Sequence, residues 1–180
     1  MRDPSYWMGL ALAQARHAID LGEIPVGAVV VDEERDAIVG AGCNMTLTTH
    51  DPSAHAEMVA LRSTGQALRN YRLPGLSMFV TLEPCPMCAG LVIHARLKRL
   101  VYGAPDPRTG ACGSVFPLIS DPRHNHHVEV EGGVLQGECS EILKSFFRRR
   151  RKQMKELGAR RIAQALSPFE SIRRNGGSEP

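Results

Sequence analysis

Met78-Phe79-Val80-Thr81-Leu82-Glu83-Pro84-Cys85-Pro86-Met87-Cys88-Ala89-Gly90-Leu91-Val92-Ile93-His94-Ala95 contains the change of periodicity that sets the architecture of this chain. Met78 to Leu82 is a short apolar, β-favouring run and reads as a strand. A helix follows, beginning around Cys85 and ending near Ala95, and Pro84 and Pro86 suit its first turn, where a missing N–H costs little. Cys85 and Cys88 are three residues apart, so both sulfurs fall on one face of that turn. The partial positive charge of a helix N-terminus favours thiolate there.

Strand and helix alternate in the same way on either side. Met8, Leu12, Ala15 and Ile19 recur at helical spacing within a segment from about Ser5 to Leu21. Val26 to Val31 reads as a buried strand, Asp32 to Asp36 as a turn and Ala37 to Ala41 as the returning strand of a hairpin. Asp51-Pro52-Ser53-Ala54-His55 resembles a helix start, and that helix is expected to run to about Ser63 and stop at Gly65. Arg99 to Tyr102 is a further strand, Gly103 to Phe116 a Gly/Pro-rich loop, His127 to Glu131 another strand and Ser140 to Leu157 a long helix. The alternation argues for an α/β domain of two or three layers with a mixed sheet. Nothing repeats internally.

The 180 residues suffice for one domain with a sizeable core, and 43% hydrophobic with 23% charged content is ordinary for a water-soluble globular protein. The first residues lack a secretory apolar core, and no apolar run approaches membrane-spanning length. Five cysteines at irregular spacing do not form a disulfide framework, so a reducing, cytoplasmic setting is expected. The net charge of +3 conceals an asymmetry: Arg148 to Arg161 holds eight Arg or Lys against one Glu, or +7, leaving about −4 for the rest. A basic end on a mildly acidic body suits a polyanionic partner, the bland alternative being a solvated helix face.

His55-Ala56-Glu57 completes the chemistry. One imidazole and two thiolates supply three ligands to a zinc ion and leave one tetrahedral position for water. Glu57 diverges from His55 by about 200° around a helix, which suits a proton carrier beside the metal and not a further ligand. Its expected cycle takes a proton from the activated water, passes it to a ring nitrogen and later protonates a departing amine. Two other readings stay open on these residues alone. C-x-x-C can be a redox pair. A structural zinc could close with Cys43, Cys112 or His50 as a fourth ligand.

H-x-E followed by P-C-x-x-C is the signature of zinc nucleobase deaminases. From roughly Tyr6 to Leu157 the chain resembles the bacterial tRNA adenosine deaminase family of the cytidine-deaminase-like superfamily. The resemblance rests on Pro25-Val26-Gly27-Ala28-Val29, His50 to Glu57, Asn70-Tyr71-Arg72-Leu73, Val80 to Gly90, Ile93-His94-Ala95-Arg96, Thr109-Gly110-Ala111-Cys112-Gly113-Ser114 and Phe146-Phe147-Arg148. It implies a three-layer α/β/α domain with a mixed five-stranded sheet, placed here over residues 1–160. The basic and polar tail, 161–180, has no counterpart in the family, and from about Ser167 onward (Pro168, Asn175-Gly176-Gly177-Ser178) its composition reads as disordered. The resemblance also implies hydrolysis of the wobble adenosine of a tRNA anticodon to inosine with release of ammonia, one zinc per subunit and a homodimer with sites near the interface.

By matching position, His55, Cys85 and Cys88 are implied as zinc ligands and Glu57 as the catalytic proton shuttle. Asn44 is implied to touch the target nucleotide and Asp106 its ribose. Arg108 is implied to meet the RNA backbone, and Phe147 with Arg148 and the arginines after it to hold neighbouring nucleotides of the anticodon stem-loop. Against these stand simpler readings: Asn44 as a turn residue, Asp106 as a turn cap between Pro105 and Pro107, and Phe147 as core in a stripe with Leu143, Met154 and Leu157. Pro105, Pro107 and Arg108 depart from the residues common in the family. His124, His126 and His127 read as a polar loop and not as a second metal site.

Overall fold

A computed structural model describes the backbone of residues 2–175 and the side chains of residues 2–157. Five helices, α1 (Pro4–Asp20), α2 (Thr46–Thr49), α3 (Ala56–Leu68), α4 (Pro86–His94) and α5 (Gln136–Asn175), interleave with five strands. The strands are β1 (Gly27–Asp32), β2 (Ala37–Cys43), β3 (Ser77–Leu82), β4 (Arg99–Ala104) and β5 (Glu129–Gly132). The chain divides into two units, Met1–Leu143 and Lys144–Pro180.

In the first unit the strands form one sheet in the order β2-β1-β3-β4-β5. β1 is antiparallel to both β2 and β3, whereas β3, β4 and β5 are mutually parallel. The sheet is therefore mixed and five-stranded, as the resemblance implies. Because β1 alone runs against the others, the C-terminal ends of β2, β3 and β4 meet at one edge. The loops leaving that edge carry Asn44, Cys85 and Asp106.

Strand pleating sends alternate residues to two cores. Ala28, Val30, Met78, Val80 and Leu100 pack with Ala56, Ala60, Leu61, Val92 and Ile93 of α3 and α4 on one face. Val29, Val31, Phe79 and Val101 pack with Trp7, Met8, Ala11 and Leu12 of α1, and with Cys139 and Ile142 from the start of α5, on the other. Helices thus cover both faces, giving three layers, and burial on both sides explains why β1 and β3 are nearly continuous apolar runs. Gly27 permits the close seat of α1, since a Cβ there would collide with backbone atoms of Ala11 and Ala15. Asp3 caps α1 by accepting the Ser5 amide at 2.7 Å, with Pro4 in the first turn.

Several boundaries differ from those the sequence suggests, and the short α2 is not among the expected elements. Asp51 does not open α3; its carboxylate accepts the Ser53 amide at 2.8 Å and the Ser53 hydroxyl at 2.7 Å, closing a turn of its own. The helix starts at Ala56, with His55 as its N-cap, and runs past Gly65 to a left-handed Arg69. At the other end of the chain α5 begins at Gln136, before the expected Ser140, and extends to Asn175, beyond the expected Leu157. Ala159 to Leu166 contains no Gly or Pro and is dominated by good helix formers, which favours continuation. Residues 176–180 of the tail lie outside the described residues.

Candidate active site

α3 and α4 begin at the same edge of the sheet, and each begins with a metal-ligand type of residue at its N-cap. His55 and Cys85 both have extended backbone (φ −71°, ψ 155° and φ −73°, ψ 171°), and neither side chain caps its own helix. The side chains turn toward each other instead. His55 Nδ1 lies 3.6 Å from Cys85 Sγ and 3.6 Å from Cys88 Sγ, and the three donor atoms lie within 4.8 Å of one another. With Zn–N near 2.05 Å and Zn–S near 2.3 Å, a tetrahedral site has an N···S edge of about 3.6 Å. The donor set therefore fits a zinc ion in both chemistry and spacing.

Protons are distributed accordingly. The Cys88 thiol donates to the Cys85 sulfur, which against the cost of burial, and with help from His55, holds the Cys85 pKa down to about 4. The same bond, then burial, then the charge of Glu57 raise Cys88 far above its ordinary value, so it keeps its proton until a cation displaces it. The bond to Cys85 raises His55 despite burial.

Glu57, two residues after His55 in the first turn of α3, is only 4% exposed. Burial raises its carboxyl to about 7, opposed by backbone hydrogen bonding and by the charge of His55. A carboxyl at that value exchanges protons readily at neutral pH, the requirement for a general acid–base group.

Asn44 is buried, and its Oδ1 accepts the Ala56 amide at 3.0 Å. It thus caps α3 from twelve residues upstream, the role His55 gives up by facing Cys85. Glu83, directly after β3, is buried at 2% exposure. Its Oε1 accepts the amides of Cys112 (2.9 Å) and Ser114 (3.1 Å), and its Oε2 accepts the Asp106 amide (2.9 Å) and the Ser114 hydroxyl. Burial alone would raise this carboxyl, but these donors together hold it below its ordinary value. The sequence motifs contain Glu83 without assigning it a task. The one signal they offer is an acid wedged between an apolar strand and a Pro-Cys step.

Asp106 caps a turn: its Oδ1 accepts the Arg108 amide at 2.9 Å and its Oδ2 the Thr109 hydroxyl at 2.7 Å. The Arg108 side chain is exposed. In the second unit Phe146 is buried at 5% exposure, whereas Phe147 stands 42% exposed with its ring edge-on to Phe146 at 5.5 Å. Met154 and Leu157 are exposed as well, so of the helical stripe through Phe147 only Leu143 packs against the core; Phe146 is the buried ring. Arg148 is exposed.

Among the described residues the donor group comprises His55, Cys85 and Cys88 alone, so neither Cys43, Cys112 nor His50 closes it. All five cysteines are free. His124 and His126 are each bound through Nε2 to a backbone carbonyl, of Leu118 (2.8 Å) and Leu97 (2.7 Å), as members of a polar loop. A surface cavity of about 420 Å³ beside α3 is lined by no residue of the donor group.

Residues 1–104 match the family described as the cytidine and deoxycytidylate deaminase zinc-binding region. The chain is 51% identical over 148 residues to the tRNA-specific adenosine deaminase of Haemophilus influenzae (82% of this chain, 85% of that one). It is 41% identical over 155 residues to that of Bacillus subtilis (86% and 95%). A solved structure from work on A-to-I editing by tRNA deaminases at the wobble position of transfer RNA shares 41% identity at a TM-score of 0.73, covering 77% of this chain and 99% of that one. A guanine deaminase from Nitrosomonas europaea, at 23% identity and a TM-score of 0.72 (81% and 85%), shares the fold. On this sheet, this zinc-fitting donor set and these relatives, the chain belongs to the tRNA-specific adenosine deaminases, hydrolytic enzymes of the zinc-binding cytidine and deoxycytidylate deaminase family.

Proposed function

We propose that this enzyme converts the wobble adenosine of a tRNA anticodon to inosine, exchanging the 6-amino group for oxygen from water and releasing ammonia. The observation that carries the reading is the meeting of three zinc-type donors with a buried carboxyl in the first turn of α3, in a chain half identical to a tRNA-specific adenosine deaminase. His55, Cys85 and Cys88 hold the zinc, which when bound supplies Lewis-acid activation of water. Glu57 carries the protons: it takes one from the attacking water, delivers it to a purine ring nitrogen and later protonates the leaving amine. Burial supports this role because it raises the carboxyl and so favours its taking up a proton.

An anticodon loop presents unstacked bases at low cost, and the reaction needs its base out of the stack. Asn44 offers its amide nitrogen to the target nucleotide, its oxygen being committed to Ala56. Asp106 and Arg108 grip the ribose and backbone from the segment after β4. Phe147 and Arg148 hold neighbouring nucleotides, an exposed ring beside a run of cations being the usual grip on single strands. The functional unit is a homodimer in the cytoplasm, with the catalytic domain over residues 1–160 and a basic and polar tail beyond. No helix among the described residues is long and apolar enough to cross a membrane.

The test is mass spectrometry of a stem-loop bearing a wobble adenosine after incubation with the zinc-loaded protein. Conversion of that one adenosine to inosine, with free adenosine, cytosine and guanine untouched, supports the reading. Turnover of a free base or nucleoside in preference to the stem-loop would contradict it.

A further inference from the structure

Resting on the reading of the Asp106–Arg108 segment as an RNA grip, we infer that Glu83 is the positioning residue of that grip. Its carboxylate ties the segment after β4 to the strand end that carries Cys85.

The bonds form a two-tier chain. In the first tier Glu83 Oε2 holds the Asp106 amide at 2.9 Å, and Oε1 holds the Cys112 and Ser114 amides at 2.9 and 3.1 Å. In the second, the Asp106 carboxylate holds the Arg108 amide and the Thr109 hydroxyl. Backbone bonds run beside this chain: Glu83 N donates to the Ala104 carbonyl at 2.8 Å, and Ala111 N donates to the carbonyl of Pro84, the residue before Cys85, also at 2.8 Å. Gly110 lets the segment wrap the acid, because a Cβ there would collide with the Glu83 carboxyl group. A buried carboxylate with every donor drawn from one loop is costly unless all of those donors are in place. Loop geometry and acid are thus mutually dependent. The side-chain hydrogen bonds of Glu83 go to Asp106, Cys112 and Ser114 and not to the donor set; it acts through Asp106.

The two oxygens are not equivalent, which makes the inference sharp. In Glu83→Gln the amide oxygen can keep the Cys112 and Ser114 amides. The new NH2 then faces the Ser114 hydroxyl, which can rotate to accept, and the Asp106 N–H, which cannot. The substitution therefore releases Asp106 selectively. In the zinc-loaded full chain we expect residue-resolved amide exchange to quicken by about tenfold or more at Asp106 and Arg108, with Cys112, Ser114 and the β3 amides still protected. Zinc content should stay at the wild-type level, and KM for the stem-loop should rise by about tenfold while kcat changes by less than about threefold. Adding Asp106→Ala to Glu83→Gln should bring little further loss, because the two act as one unit.

If Asp106→Ala with Arg108→Ala leaves KM unchanged, the RNA-grip reading itself fails. If that pair raises KM but Glu83→Gln alters neither KM nor Asp106 exchange, or only lowers the unfolding temperature, the positioning role is overturned. Should Glu83→Gln not fold, wild-type exchange decides: Asp106, Cys112 and Ser114 must be slow despite lying in a surface loop, and fast exchange at all three refutes the inference.

Discussion

Asn44 Oδ1 accepts the amide of Ala56 at 3.0 Å, so the helix that begins beside His55 is capped from the end of β2. His55 is thereby free to face the two thiols while its helix still has a satisfied first turn. Removing the acceptor should loosen that turn. We expect Asn44→Ala to cost about 1–2 kcal/mol of stability, typical of a lost helix cap, and to weaken zinc retention. Asn44→Asp keeps the acceptor and should keep both stability and zinc while losing the amide nitrogen offered to substrate. Thermal unfolding with zinc analysis of the two variants checks this; equal stability of wild type and Asn44→Ala would refute the capping role.

The cysteines divide into two groups by geometry. Cys85 and Cys88 face His55 Nδ1 at 3.6 Å, whereas Cys43, Cys112 and Cys139 do not belong to the donor set. Cys85→Ala and Cys88→Ala should therefore lose zinc and turnover together. Cys112→Ala and Cys43→Ala should retain zinc. Metal analysis of the four purified variants decides it, and zinc loss in Cys112→Ala would reopen the closed, structural alternative.

Much of this is legible in the chain because the residues involved act locally. β1 and β3 announce themselves as apolar runs covered on both faces, and Cys85 and Cys88 lie within one turn of α4. The start of α3 is harder to read because its cap comes from Asn44, a partner distant in sequence, while Asp51 and Pro52 imitate a local start. Glu83 and Glu23 are silent for the same reason. Each is a buried acid whose donors come from segments more than twenty residues away, and nothing in its immediate neighbours foretells them.

Glu23 supplies a pH prediction away from the metal donors. Burial pushes its carboxyl up, but the Thr48 amide (2.7 Å), the Thr48 and Thr46 hydroxyls and the Leu47 amide outweigh it and hold it below the ordinary glutamate value. A carboxyl depressed on folding stabilises above its unfolded value, and that contribution disappears as pH falls through the folded value. Glu23→Gln should thus be destabilised relative to wild type at neutral pH, and the gap should close as the pH falls through the lowered folded value into acid. Denaturant unfolding of both proteins at the two conditions measures it; a gap that widens in acid would have the wrong sign.

The run Arg148-Arg149-Arg150-Arg151-Lys152 predicts a salt dependence. If these side chains meet phosphates, replacing them with Gln should weaken stem-loop binding and lower the slope of log affinity against log salt by roughly 0.7–0.9 for each phosphate no longer neutralised. Binding titrations across a salt series give the slope directly. An unchanged slope would assign the cluster to solvation alone.

Glu57→Gln is the most direct probe, because it preserves shape and burial while removing the carried proton. Single-turnover conversion of the wobble-adenosine stem-loop should fall by about 10²–10⁴-fold, with bound zinc and stem-loop affinity unchanged. Wild-type turnover in that variant, with its zinc in place, would contradict a proton-carrying Glu57 and with it the proposed chemistry of the site.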